Sequence, residues 1–135
     1  MRLLATREHT RAELVRKLGS RFPAALLESV LEGLAERNLQ SDVRYAEQYV
    51  AMRIRKGYGP VRIRNELRER GVNATLIATT LEEAGADWFE LMREAHDRKY
   101  GRGLPSDRKE QARRARFLEY RGFSSDQIRG LLLNQ

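Results

Sequence analysis

Three stretches of this chain superpose on one another at a spacing of about fifty residues, and that internal repeat limits the fold more than any other feature. With Phe22, Val72 and Phe123 aligned, FPAALLESVL, VNATLIATTL and FSSDQIRGLL bring Leu27, Ile77 and Ile128 into register, and likewise Leu31, Leu81 and Leu132. Leu18, Leu67 and Leu118 lie just upstream of these anchors, and the second and third copies share Gly71 and Gly122. The preceding segments correspond as well: RKGYG (55–59) ends one, RKYG (98–101) ends another, and LLATREH is an abbreviated counterpart in the first copy. One supersecondary unit repeated three times accounts for this, so an all-α fold of three tandem three-helix units is expected, near residues 1–40, 41–86 and 87–135.

Each unit reads as amphipathic helices. Thr10 with Glu13 three residues on is a capping-box pattern ahead of Leu14 and Leu18. Leu27, Val30, Leu31 and Leu34 form the next stripe, with Asn38 near its end, and Ala46, Tyr49, Val50 and Ile54 follow a cap at Ser41 or Asp42. Pro60 suits a first helical turn that leads to Ile63 and Leu67, and Gly71 a left-handed stop. Asn73 and Asp87 are caps for helices carrying Ile77 and Leu81, then Trp88, Leu91, Met92 and Ala95. Strand periodicity is nearly absent.

The chain of 135 residues is basic, with 26 Lys and Arg against 19 Asp and Glu, a net charge of +7. Residues 53–70 hold seven basic and two acidic side chains, and residues 98–121 hold nine and three, so the remainder is net negative. Such concentration favours a polyanionic or acidic partner, although arginine-rich helices are also often plain solvated faces.

Several chemistries are excluded or weak. There is no cysteine, hence no disulfide or thiolate ligand, and His9 and His96 read as surface histidines too far apart for a metal site. RKGYGP has a helix on both sides and neither phosphate-loop spacing, and Pro60 removes an amide where a phosphate would want one. Glu82 and Glu83 diverge on their helix, and no nucleophile elbow is present. No enzyme, cofactor or metal is therefore expected. No apolar run is long enough to cross a bilayer, so the cytosol is the expected compartment. The absence of a long heptad seam favours a monomer.

Binding is better supported. Arg64 and Arg68 share one flank of the helix opened by Pro60, while Arg62 points elsewhere; Lys109, Arg113 and Arg116 are neighbours on a later helix. Tyr58 and Tyr100 are expected to pack against helix ends, with stacking on bases as the alternative, and Trp88 and Tyr120 are expected in the core. The helices after Gly71 and Gly122 are poor in arginine, which speaks against major-groove reading by a helix-turn-helix.

The ordered segments DVRYAEQYVAMRIRKGYGPVRIRNELRERGV (42–72), DW…RKYG (87–101) and RFLEYRGFSSDQI (116–128), with REHTRAELVRKL (7–18) upstream, resemble the bacterial RecX regulatory proteins over nearly the whole chain. The resemblance implies an elongated, curved array of three-helix repeats. It also implies a cytosolic modulator of the RecA recombinase that lies in the groove of the RecA filament on DNA. Such a modulator limits filament growth and depresses ATP hydrolysis, strand exchange and the SOS coprotease activity.

The positions matching the family's basic, aromatic-punctuated segments are Arg55, Lys56, Tyr58, Arg62, Arg64 and Arg68, followed by Arg98, Lys99 and Tyr100 and then Arg113, Arg114, Arg116 and Arg121. These are expected to bind RecA and single-stranded DNA as a group, with double-stranded DNA left open. A nucleic-acid-binding helical protein without a recombinase partner is the alternative. Only MRLLATR precedes the first capping box, less than the leading helix and basic extension usual in the family, so either the natural start lies upstream or the first unit is abbreviated.

Overall fold

The computed structural model describes residues 9–19, 22–36 and 41–133, and among these every regular element is an α-helix. In chain order they are α1 (Arg11–Leu18), α2 (Ala24–Glu36), α3 (Asp42–Arg55), α4 (Pro60–Glu69), α5 (Ala74–Glu83), α6 (Trp88–Tyr100), α7 (Arg108–Arg121) and α8 (Ser125–Leu132). The segment LLATREH and Asn38 fall partly or wholly outside the described residues.

Side chains at the expected positions satisfy the orphan amides of these helices. Thr10 and Glu13 form a reciprocal capping box on α1, and Ser124 and Gln127 repeat it on α8. Ser41, not Asp42, caps α3, and it accepts from the Arg44 amide. Asn73, Asp87 and Asp107 cap α5, α6 and α7. Helix α4 differs: its cap is Gly59, which offers no side chain, with Pro60 in the first turn.

Burial gathers into three clusters. Leu14, Leu18, Leu27, Leu31 and Leu34 form one, between α1 and α2. Tyr45, Ala46, Val50, Ile63, Leu67, Val72, Ile77 and Leu81 form the second, from α3, α4 and α5. Met92, Leu118, Phe123, Ile128, Leu131 and Leu132 form the third, from α6, α7 and α8. Trp88 packs against both the second and the third, so these two cores are bridged by one indole.

Two expectations are corrected. His9 and His96 are buried, at 1% and 0% exposure, rather than on the surface. His96 follows Met92 and Ala95 on the core face of α6, whose stripe therefore runs one residue further than its apolar members. Tyr120 is not in the core: it is 71% exposed, because it lies two residues past buried Leu118 and so roughly 200° around α7.

One joint occurs twice. The N-terminal end of α4 sits on the C-terminal end of α7, where the Gly59 amide donates to the Arg121 carbonyl at 2.8 Å and the Val61 amide to the Gly122 carbonyl at 2.9 Å. The N-terminal end of α1 sits in the same way on the C-terminal end of α4. There the Thr10 hydroxyl donates to the Arg70 carbonyl at 2.8 Å, while the Arg11 amide donates to Oδ1 of Asp42 at the start of α3, at 2.9 Å. At the α4–α7 joint amides left over at one helix end satisfy carbonyls of the other, at the α1–α4 joint a capping hydroxyl does so, and both set opposite helix-dipole ends together. The close approach explains two glycines. A Cβ on Gly59 would collide with the Gly122 carbonyl, and Gly122 itself, at φ 105°, has no room for one against Arg62.

Candidate nucleic-acid interface

The α4–α7 joint turns two basic stretches that are separate in sequence into one surface. Arg62 Nη1 donates to the Tyr120 carbonyl at 3.1 Å, and its guanidinium carbon lies 4.9 Å from the Tyr120 ring centre. Arg121 Nη1 reaches back to the Lys56 carbonyl at 3.2 Å, with its guanidinium 4.9 Å from the Tyr58 ring. The RKGYGP connection is thus held from below by the end of α7.

The inner layer of this surface is bound to itself. Tyr58 has guanidinium carbons of Arg53 at 3.8 Å and Arg62 at 4.5 Å from its ring centre, in addition to Arg121. Glu66 anchors the arrangement by accepting from Tyr49 Oη at 2.9 Å, from Arg53 Nε and Nη2 at 2.9 and 2.8 Å, and from Arg62 Nε at 3.3 Å. Burial pushes the Glu66 carboxyl up, but the hydrogen bonds from Tyr49 and Arg53 and the charge of Arg53 outweigh it, and the group stays below its usual range. Burial and the bond to Glu66 push the Tyr49 phenol up to about 12. Tyr58 is therefore a packing residue between guanidinium groups, and Arg62 and Arg121 serve the joint.

The outer layer is open. Lys109, Arg113, Arg116 and Tyr120 follow one another at intervals of four, three and four residues, which puts them on the face of α7 turned away from Leu118. Beside them lie Lys99 and Tyr100 at the end of α6. Lys99, Tyr100, Arg113, Arg116, Phe117 and Tyr120 line an open recess of about 500 Å³ that has no acidic residue in its wall. Its floor is fixed, since Tyr100 and Phe117 meet edge to face with ring centres 5.6 Å apart. Arg113 shares Glu110 with Arg114 at 2.9 and 3.0 Å but remains largely exposed, and Arg116 carries no ion pair with a described residue.

Arg114 is structural. It is mostly buried, and its Nη1 holds both the Gly103 carbonyl at 2.8 Å and His96 Nε2 at 3.1 Å. A guanidinium only donates, so Nε2 accepts and Nδ1 carries the proton shared with Asp97 Oδ1 at 2.9 Å. That bond, with Arg93 nearby, keeps the Asp97 carboxyl low. Among the described residues no group of three His, Asp or Glu side chains could hold a metal.

The other candidates divide by flank. Arg64 and Arg68 are exposed on the side of α4 opposite Arg62 and Glu66, since a step of two residues turns roughly 200°. Arg55, Lys56 and Arg98 are exposed near the ends of α3 and α6. Tyr120 and Phe117 are not among the binding positions that the sequence singles out, although Tyr120 continues the spacing of Lys109, Arg113 and Arg116.

The architecture is that of an all-helical protein of consecutive three-helix domains. Residues 41–81 match the family model described as RecX, second three-helix domain, and residues 86–132 that of the RecX third three-helix domain. The chain is 51% identical over 133 residues to the regulatory protein RecX of Ectopseudomonas mendocina (strain ymp), covering 98% of this chain and 89% of that protein. It is 48% identical over 130 residues to the regulatory protein RecX of Halorhodospira halophila, covering 96% and 81%. It also superposes on a crystal structure of regulatory protein RecX with a TM-score of 0.80 at 27% identity, over 98% of this chain and 67% of that one. The crystal structure of RecX from Lactobacillus salivarius gives a TM-score of 0.80 at 25% identity, over 96% and 86%. The chain belongs to the RecX family of regulatory proteins. No helix among its described residues is long and apolar enough to cross a membrane.

Proposed function

We propose that this protein regulates the RecA recombinase in the cytosol by binding the RecA filament and its DNA. By limiting filament growth it lowers ATP hydrolysis, strand exchange and coprotease activity without catalysing a reaction itself. The observation that carries this reading, beside family membership, is the joint through Arg62, Tyr120 and Arg121 that brings the basic stretches 53–70 and 98–121 together. Three units, 1–40, 41–86 and 87–135, are the natural division, supported by the three apolar clusters and the repeated joint.

The two flanks suit different partners. The α7 face combines cations with aromatic rings, as single-stranded nucleic acid requires. The Arg64 and Arg68 flank of α4 offers guanidinium groups alone, which fits carboxylates of a protein partner. A helical nucleic-acid binder without a recombinase partner is the competing reading, favoured by the same α7 face. Capture of RecA by the purified protein in the absence of DNA, together with inhibition of DNA-dependent ATP hydrolysis, separates the two. DNA binding with neither capture nor inhibition would overturn the RecA assignment.

A further inference from the structure

Tyr120 is more exposed than any other large hydrophobic side chain among the described residues. Its place on the outward face of α7 leaves an aromatic ring in water beside a wall of cations, where its open face is available to a ligand. Its surroundings explain it as a platform. The Arg62 guanidinium stands 4.9 Å from the ring centre, and that guanidinium is itself fixed by Glu66 and by the Tyr120 carbonyl, so the ring is braced while most of its surface stays open. The open side borders the recess formed with Lys99, Arg113 and Arg116.

We infer that Tyr120 is a base-stacking residue of a single-stranded nucleic-acid subsite, with Lys99, Arg113 and Arg116 neutralising the phosphates on either side of the stacked base. The inference rests on the nucleic-acid arm of the proposed function and gives it a residue and a ligand chemistry. Stacking requires a base that is not already stacked on its neighbours, so the subsite selects single strands over duplex. The aromatic ring tolerates any base, so it carries no sequence preference of its own. An acidic polypeptide would use the three cations but leave the ring without a role. Tyr58, by contrast, is covered by guanidinium groups and is not a second platform. Charge and spacing support the same reading: Arg113 and Arg116 are one turn apart on α7, with Lys109 a turn earlier, so phosphate contacts would run along the helix toward the ring.

The test compares three probes on the full chain: a labelled oligo-dT, an all-abasic oligonucleotide of the same length, and poly-glutamate, each titrated against wild type, Tyr120→Ala, Tyr120→Trp and Arg113→Glu/Arg116→Glu, with circular dichroism confirming helicity. Tyr120→Ala is expected to weaken oligo-dT binding about tenfold, within the range one stacked base supplies, and to leave abasic binding unchanged. Tyr120→Trp should retain affinity, and the double arginine reversal should weaken both oligonucleotides. Equal loss of oligo-dT and abasic binding in Tyr120→Ala, or none in either, would overturn the stacking role while the nucleic-acid surface stands. Wild-type binding to poly-glutamate as tight as to oligo-dT, with the same dependence on Tyr120, would overturn it in favour of an acidic protein. No oligonucleotide binding by wild type would remove both the inference and the nucleic-acid arm beneath it.

Discussion

Val61 and Gly122 are joined by a 2.9 Å hydrogen bond from the amide of the first to the carbonyl of the second, and this bond ties the first turn of α4 to the end of α7. Neighbouring contacts depend on the same closeness, including the bond from Gly59 to Arg121 and the reach of Arg62 to Tyr120.

Gly122→Ala should therefore open the joint. The residue sits at φ 105°, and a Cβ there would strike Arg62, so strain and displacement act together. A loss of about 2 kcal/mol or more is expected, read as a fall in Tm. Hydrogen exchange should accelerate at the Gly59 and Val61 amides before the cores open. A Tm within error of wild type would contradict the packing described.

Glu66→Gln should destabilise the protein by about 1–3 kcal/mol at neutral pH, because the guanidinium groups of Arg53 and Arg62 lose their shared carboxylate. The pH dependence follows from the lowered folded-state value. Between that value and the ordinary one near 4.5, the unfolded chain binds the proton and the folded one does not. Glu66 thus contributes stability above the ordinary value, and loses it as the pH falls through the folded one. Acid titration of Tm should show a shallower decline in Glu66→Gln than in wild type, with Asp97 and Glu110, also held low, contributing the remainder.

Much of the fold is legible in the sequence because its signals are local. Caps at Thr10, Asn73 and Asp87, stops at Gly71 and Gly122, and the register of Leu27, Ile77 and Ile128 all follow from spacing along one helix. What spacing does not reveal is non-local. The joint depends on backbone groups more than fifty residues apart, so the sequence marks it only by small residues at Gly59 and Gly122. The pairing of Arg53 and Arg62 through Glu66, which withdraws Tyr58 from solvent, depends on how α3 packs on α4. Tyr120 shows the hazard of weighing aromatic character above helical angle: four residues on from Arg116, it continues an outward stripe and stays out of the core.

Charge reversal should separate the two flanks. Arg64→Glu/Arg68→Glu is expected to abolish inhibition of RecA ATP hydrolysis while single-strand affinity changes little. Arg113→Glu/Arg116→Glu should weaken single-strand binding and flatten its dependence on salt by about 0.7 logarithmic units for each phosphate no longer neutralised. Salt titrations of oligonucleotide binding beside ATPase assays check both. Identical profiles for the two variants would contradict a division of partners between flanks.

Leu67→Ala sets the scale for a purely structural loss. Its side chain is fully buried in the second cluster, so about 2–5 kcal/mol should be lost, measured by denaturant unfolding. Binding to oligonucleotide under conditions where the variant remains folded should be unchanged.

If the joint assembles one surface for a filament and its DNA, an electron cryomicroscopy reconstruction of the protein on a RecA filament will show which face meets which partner. The α7 face, with Arg113, Arg116 and Tyr120, is expected against the DNA strand, and Arg64 and Arg68 against RecA. A reconstruction in which the α7 face points to solvent, or in which the protein does not occupy the filament, would contradict this assignment.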